Sequence, residues 1–512
     1  MYIQDKYKMY RMVHSLITKD AYTLLHFDYD KNIVWLEKNE RRLSKVIRIS
    51  LQGFDWKNHL KQDMSQTLQL IATNKRFIRS KVVEFYNIYI SSHQPVDHWL
   101  DLKEPMTLNR RKNVTMRMFY FDRENFFDEY NRLNEQVNIT LDWIYDVPSE
   151  DYAEQFVSAF KDQINKHIYQ KREQERKIFT YGKPRLTYLL IGINVLIFML
   201  VELSGSSTDI EHLIEFGAKY NPYIIDGQWW RIISSMFLHI GIFHLIMNML
   251  ALYYLGHAVE GIYGTGRFFI IYMLAGIGGG LASFAFTINV SAGASGAIFG
   301  LFGALLFFGL IHKRLFFQTM GTNLLVIIGI NLVFGFTVPQ IDNSAHLGGL
   351  IGGFIAAAIL HLPQQKHFIK QLGALLIYGI ATIGLIVFGI NTHTKSGFYE
   401  LHQVDEYLAM GQYETAIDLA TENIAKNDDL LPQFLFQRGY AYIRTDEISL
   451  AIHDLEQCIA ITDEIPEAFY NLALLYYETK QFELAEDMIE KAVQLDPRNQ
   501  MFQDVYDEIV TN

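Results

Sequence analysis

The chain has 512 residues, half of them apolar, a formal net charge of −11 and a single cysteine. That length leaves room for roughly three or four domains. Cys458 alone excludes an internal disulfide framework and a multi-cysteine metal site, and an apolar excess concentrated at 186–390 excludes a uniformly soluble protein.

Charge divides the chain more informatively than its total does. From Ser396 onward there are 24 acidic and 6 basic residues, whereas the first 178 residues hold 29 basic and 25 acidic. An acidic tail and a mildly basic head on either side of an apolar middle suit a protein that crosses a membrane. The start, Met1-Tyr-Ile-Gln-Asp-Lys-Tyr-Lys8, is charged and lacks an apolar core segment, so no cleaved signal peptide is expected.

Residues 1–178 read as a soluble α+β domain. Tyr22–Asp30 and Val114–Asp122 alternate as strands do, and Asp55–Arg79 and Asp151–Ile168 carry apolar residues at helical spacing. Asp28 and Asp30 are read as a solvated strand end rather than a cation site, because no fixed ligand spacing surrounds them. No catalytic motif is visible here. Lys171–Lys177 reads as a charged linker.

Apolar spans follow near 186–203, 237–257, 267–286, 294–311, 323–338, 345–362 and 371–390. Several approach the roughly 20 residues that a bilayer-spanning helix needs, and the fifth is short. Seven spans put the two ends on opposite sides. Lys183, Arg185, Arg267, Lys313, Arg314, Lys366 and Lys370 would share one side, against Lys219, Arg231 and Lys395 on the other. The more basic side is expected to be cytoplasmic, which leaves the acidic tail outside. The loop at 204–236, with Tyr220, Tyr223, Trp229 and Trp230, suits the outer interface.

Two spans have nearly bare faces. Gly296, Gly300 and Ala304 recur every four residues beside Ser295, and Ala345, Gly349, Gly353 and Ala357 do so beside His346. Small residues at that spacing let helix backbones approach closely. Two such faces can bring a serine and a histidine to hydrogen-bond distance, as a nucleophile and its base require. A third span carries His244 and Asn248 four apart on one face. Together with the Ser295 N–H they would make an oxyanion hole. His239 is turned from that face and reads as an interfacial or packing residue. No aspartate has an evident place behind His346, which implies a dyad. The bland reading of each residue alone is polar glue or interface packing. A zinc site is not expected within the spans, where no two histidines sit four apart beside a glutamate.

Beyond the spans the tail repeats. Gly439 and Ala473 lie 34 residues apart, as do Ala451 and Ala485. Phe469, Leu472, Ala473, Tyr476, Ala485, Ile489, Ala492 and Pro497 match the tetratricopeptide pattern, with weaker units at 432–465 and near 397–430. Such repeats build a small helical solenoid whose concave surface usually binds a peptide or protein.

The middle of the chain resembles the rhomboid family of intramembrane serine proteases. The motifs are Trp230-Arg231, His239/His244/Asn248, Glu260-Gly261, Gly293-Ala-Ser-Gly296, and Ala345-His-Leu-Gly-Gly349 with Gly353. The resemblance implies a polytopic α-helical membrane protein: a seven-span (6+1) rhomboid core at 179–395, an amino-terminal soluble α+β domain at 1–178, and an α-solenoid of about three repeats at 396–512. It implies that Ser295 is the nucleophile, that His346 is general base and then acid, and that His244, Asn248 and the Ser295 amide bind the oxyanion. Trp230 and Arg231 would belong to a loop that partly embeds in the outer leaflet. Phe299 stands where some members carry a tyrosine that stacks on the catalytic histidine. Expected partners are the lipid bilayer, membrane proteins with a transmembrane helix as substrates, and a protein or peptide on the repeats. No cofactor, metal ion or nucleic acid is expected. The expected location is the cell membrane, multi-pass, with the amino terminus cytoplasmic and the repeats extracellular. The alternatives are a non-cleaving relative that binds membrane proteins, and a transporter; Asp342 is too isolated an acid to line an ion path.

Overall fold

The computed structural model describes residues 2–40, 43–73, 80, 82–109, 113–137, 139, 148–338, 341–365, 367–426 and 428–511. The chain divides into two units, Met1–Lys177 and Ile178–Asn512.

In the first unit, helix α1 (Tyr2–Thr18) precedes strands β1 (Thr23–Asp28), β2 (Ile33–Glu40) and β3 (Leu43–Ser50). Then come α2 (Lys57–Thr73), β4 (Val82–Ile90), β5 (Met106–Asn109), β6 (Asn113–Phe121), α3 (Phe126–Val137) and α4 (Glu150–Phe179). The strands form one sheet in the order β1-β2-β3-β4-β6-β5. The β3–β4 and β4–β6 pairs are parallel and the others antiparallel. Alternation of period two sends Val34, Leu36, Ile47, Ile49, Tyr86, Ile88 and Phe119 to one apolar layer with α1, α3 and α4. It sends Trp35, Val46, Phe85, Tyr89, Met116 and Met118 to another with α2. Both faces are therefore covered, as parallel strands require.

Both expected strands form, within β1 and β6, and the expected helix at 55–79 is α2, its stretch 74–79 lying outside the described residues. The sequence reading missed α1. Lys171–Lys177, read as a linker, lies inside α4. Its Lys, Arg, Glu and Gln are all good helix formers, and Glu173 pairs with Arg176 one turn on, at 3.8 Å. Asp28 accepts the Lys31 N–H at 3.0 Å, so it closes a turn.

The second unit begins with α5 (Leu186–Ser204) and the short loop helices α6 (Ile210–Glu215), α7 (Asn221–Ile225) and α8 (Arg231–Ser234). The apolar helices α9 (Gly241–Tyr263), α10 (Thr265–Phe286), α11 (Ser295–Ile311), α12 (Lys313–Thr319), α13 (Gly321–Thr337), α14 (Asn343–Leu360) and α15 (Phe368–His393) follow. Five of them, α5, α9, α10, α14 and α15, are long and apolar enough to cross a membrane. The pair α12 and α13 is bent by 73° at the break between them, and α11 is a shorter apolar helix of 17 residues. Helices α10, α11 and α14 form the centre, while α15 exposes Leu372, Leu376, Ile380, Ile383 and Val387. Those side chains suit hydrocarbon, not water. The chain is a membrane protein.

Glu260, fully buried near the end of α9, ties down the start of α5. Its carboxylate accepts the N–H groups of Arg185 and Leu186 at 3.0 Å and of Thr187 at 2.9 Å, plus the hydroxyls of Thr187 and Thr265 at 2.8 Å. A helix start leaves such N–H groups unpaired, and its dipole favours an anion there.

The tail consists of α16 (Gly397–Ala409) with α17 (Tyr413–Ile424), α18 (Leu431–Arg444) with α19 (Ile448–Ile461), and α20 (Pro466–Glu478) with α21 (Phe482–Leu495). A closing helix, α22 (Gln500–Thr511), covers the last pair with Phe502. The small residues of the repeat sit where helices cross: a Cβ on Gly439 would lie 3.0 Å from Leu455 Cγ. Three antiparallel pairs stacked in series make the expected solenoid.

Candidate active site

Ser295 opens α11 and His346 lies in the first turn of α14. Their side chains meet, with His346 Nε2 3.0 Å from Ser295 Oγ. The helices come this close because they have almost no side chains where they cross. A Cβ on Gly349 would lie 1.9 Å from the Gly296 carbonyl oxygen, and one on Gly353 2.1 Å from that of Gly300. Both predicted smooth faces therefore pack on each other, backbone to backbone.

A third smooth face was missed. A Cβ on Gly279 of α10 would meet the Ala345 carbonyl oxygen at 2.8 Å, and one on Gly348 would meet that of Gly278 at 2.7 Å. The run Gly276-Ile-Gly-Gly-Gly280 was the available signal. Ser295 and His346 are thus held by a core of three glycine-lined helices.

The His346 ring lies flat on Phe299, with ring centroids 4.1 Å apart and planes 10° from parallel. Phe299 is one turn beyond Ser295, so one helix supplies both the hydroxyl and the plate against which the imidazole rests. The buried Nδ1 of His346 meets no hydrogen-bond partner among the described residues. Asp342, one turn before His346, is engaged elsewhere: it caps α14 by accepting the Ala345 N–H at 2.9 Å, and it accepts the Ser283 hydroxyl.

His244 belongs to α9 and reaches the loop before α11. A Cβ on Gly293 would lie 2.9 Å from His244 Cε1 and 3.7 Å from Ser295 Oγ. Glycine at this position, at φ +156°, leaves the imidazole room beside the serine. Asn248 is buried on the same helix, and its amide donates to the His244 carbonyl at 3.0 Å. His239 lies before α9, not within it, and packs edge-on against His244 with centroids 5.4 Å apart. Its Nε2 is 3.5 Å from the Ala294 N–H.

The loop between α5 and α9 is organised by buried cations. The Arg231 guanidinium donates to Gln228 Oε1 at 2.8 Å and to the carbonyls of Ile214 and Ala218 at 2.5 and 3.1 Å. It lies 4.7 Å from the Tyr223 ring and 4.8 Å from that of Trp230. Trp230 itself is half exposed and covers Gly217. Lys219 pairs by its backbone with Ser291, and its ammonium donates to the carbonyls of Thr287 and Asn289 at 3.2 and 2.8 Å. Burial pushes this ammonium down to about 8, against the opposing pull of Asp342. In the sequence Lys219 stands out only as a charge between two spans. It in fact fastens the loop between α5 and α9 to the segment that leads into Ser295.

The chain is also similar to known proteins. The rhomboid domain matches residues 226–363, and tetratricopeptide repeats match 432–464 and 466–499. Rhomboid protease GluP of Bacillus subtilis is 35% identical over 462 residues, which cover 87% of each chain. The putative rhomboid protease YdcA of the same organism is 32% identical over 38% of this chain and 98% of its own. RHOMBOID-like protein 5 of Arabidopsis thaliana is 38% identical over 31% of this chain and 53% of its own. A serine beside a histidine inside an apolar bundle, repeats behind it, and a relative alike over nearly the whole length lead to one assignment: this chain belongs to the rhomboid family and is a serine protease of the intramembrane type.

Proposed function

We propose that the protein hydrolyses peptide bonds in or next to transmembrane segments of membrane proteins by a Ser295–His346 dyad. The observation that carries this reading is the 3.0 Å contact between Ser295 Oγ and His346 Nε2 between two glycine-lined helices. With its proton on Nδ1, His346 accepts the Ser295 proton at Nε2 as the oxygen attacks the scissile carbonyl. The oxyanion then forms near the Ser295 N–H and the His244 ring, with Asn248 one turn deeper; hydrogen bonds to that developing charge are the main source of rate enhancement. Asn248 reaches it by turning its amide away from the His244 carbonyl. His346 returns the proton to the departing amine, and water repeats the sequence on the acyl-enzyme. The unpartnered Nδ1 and the engaged Asp342 favour a dyad over a triad.

In this reading seven helices cross the bilayer: α5, α9, α10, α11, α13, α14 and α15. The domain at 1–178 is cytoplasmic, the core occupies 179–395, and the repeats at 396–512 lie outside. The scissile bond enters near the outer face, where water reaches Ser295, and Trp230 and Arg231 shape the loop at that face. The repeats hold a protein partner or substrate, and the cytoplasmic domain regulates.

The test is cleavage of a transmembrane reporter in liposomes by wild type, Ser295→Ala and His346→Ala. Cutting should fall by at least about a thousandfold in each variant, because removal of either member disables the pair. Retained cutting by either variant refutes the dyad. Equal biological output from wild type and Ser295→Ala would instead establish a non-cleaving binder.

A further inference from the structure

Outside the dyad, one more cluster of chemically capable side chains stands out where the first repeat helix meets the outer loop. Asp226 follows α7 in that loop, while His402 and Glu406 are four apart on α16 and so share a face. His402 Nε2 lies 3.4 Å from Asp226 Oδ2 and 3.8 Å from Glu406 Oε1. The three ligand atoms lie within 4.8 Å of one another. His402 is only 7% exposed, and its Nε2 has no hydrogen-bond partner among the described residues. The ring is walled edge-on by Tyr220 and Tyr223, at centroid distances of 5.7 and 5.1 Å. A buried nitrogen that faces two carboxylates without a hydrogen bond is a costly arrangement unless a proton on the ring makes an ion pair or a cation joins the three groups.

The spacing points to the cation. Two ligands at about 2.1 Å from a shared tetrahedral ion lie roughly 3.4 Å apart, which matches the His402–Asp226 separation. Asp226 is also oriented as a ligand would be, since the Tyr399 hydroxyl donates to its Oδ1 at 2.9 Å and leaves Oδ2 to face the imidazole. Such outer bonds fix ligating carboxylates. Glu406 is partly exposed and needs only a side-chain rotation to close the set. One imidazole nitrogen with two carboxylate oxygens selects a zinc-like ion over magnesium or calcium, whose preferred ligands are all oxygen.

We propose that Asp226, His402 and Glu406 bind a divalent transition cation of the zinc class, which clasps the first repeat helix to the outer loop of the protease core. The site is independent of Ser295 and His346. It would make the placement of the repeats over the loop that carries Trp230 depend on the cation.

The test uses tag-free full-length protein in detergent, stripped with a chelator and dialysed at pH 7.5 against Zn²⁺, with bound metal measured by elemental analysis. Wild type and Ser295→Ala should each retain about one equivalent. His402→Ala and Asp226→Asn should each bind at least about tenfold more weakly, and Tyr399→Phe, which removes only the outer bond, severalfold more weakly. Zn²⁺ should also slow tryptic cleavage at Lys395, between α15 and α16, in wild type and not in Asp226→Asn. Glu406→Gln, altered at the exposed ligand, guards against a folding artefact, since it should keep the fold while losing affinity. No stoichiometric zinc in wild type, equal zinc in wild type and His402→Ala, or displacement by equimolar Mg²⁺ or Ca²⁺ would each overturn the proposal. Equal protection of Lys395 in wild type and Asp226→Asn would overturn the clasp.

Discussion

Adding one methyl group at Gly349 tests whether backbone-to-backbone packing sets the distance between Ser295 and His346. In Gly349→Ala the new carbon would sit 1.9 Å from the Gly296 carbonyl oxygen and 2.7 Å from its carbon. Ordinary contact needs roughly 3.4 Å or more, so α11 and α14 must part by about 1–1.5 Å. Gly296 adjoins Ser295 and Gly349 lies one turn from His346, so most of that shift reaches the pair. A separation of 3.0 Å then widens to about 4 Å, beyond hydrogen-bond range. Overpacking of this kind costs about 1–3 kcal/mol, and a displacement of about 1 Å at reacting groups costs on the order of a hundredfold in rate. The assays are thermal unfolding in detergent and the rate at which a fluorophosphonate probe labels Ser295. Gly329→Ala is the control, because no atom lies within 4 Å of a Cβ there. Expected is a variant that folds with a lowered Tm and labels about a hundredfold more slowly, beside a control that matches wild type. Wild-type labelling by Gly349→Ala would refute the claim that the glycine contact governs the dyad.

Two further substitutions probe the supports. Phe299→Leu removes the ring on which His346 lies; reporter cleavage should fall roughly tenfold with little change in Tm, since aromatic stacking is worth about 0.5–1.5 kcal/mol, and Phe299→Tyr should stay near wild type. Glu260→Gln leaves one acceptor oxygen for five donors. It should destabilise the core by about 2–3 kcal/mol, seen as a lower Tm with Ser295 labelling retained at low temperature.

What was legible without a structure was whatever depends on local period. Alternation in Val114–Asp122 marked a strand, the four-residue spacing of Gly296/Gly300 and Gly349/Gly353 marked two smooth helix faces, and the 34-residue recurrence of Gly439 and Ala473 marked the solenoid. Each pattern is written into one continuous stretch, so its reading needs no knowledge of what lies opposite. The candidate pair was legible for the same reason: Ser295 and His346 are the polar residues set against those smooth faces.

Tertiary structure decided what depends on register between distant stretches. It set the 3.0 Å between Ser295 and His346, since one turn of slip between α11 and α14 would keep both glycine stripes and separate the pair. It brought α10 in as the third bare face, turned the Asn248 amide toward its own helix, and placed His239 outside α9. Only the fold brings Asp226 to His402 and Glu406, and no spacing rule reaches across that much chain. Short-range periodicity is a property of the backbone and its neighbours, whereas the meeting of two side chains is settled by the packing of everything between them.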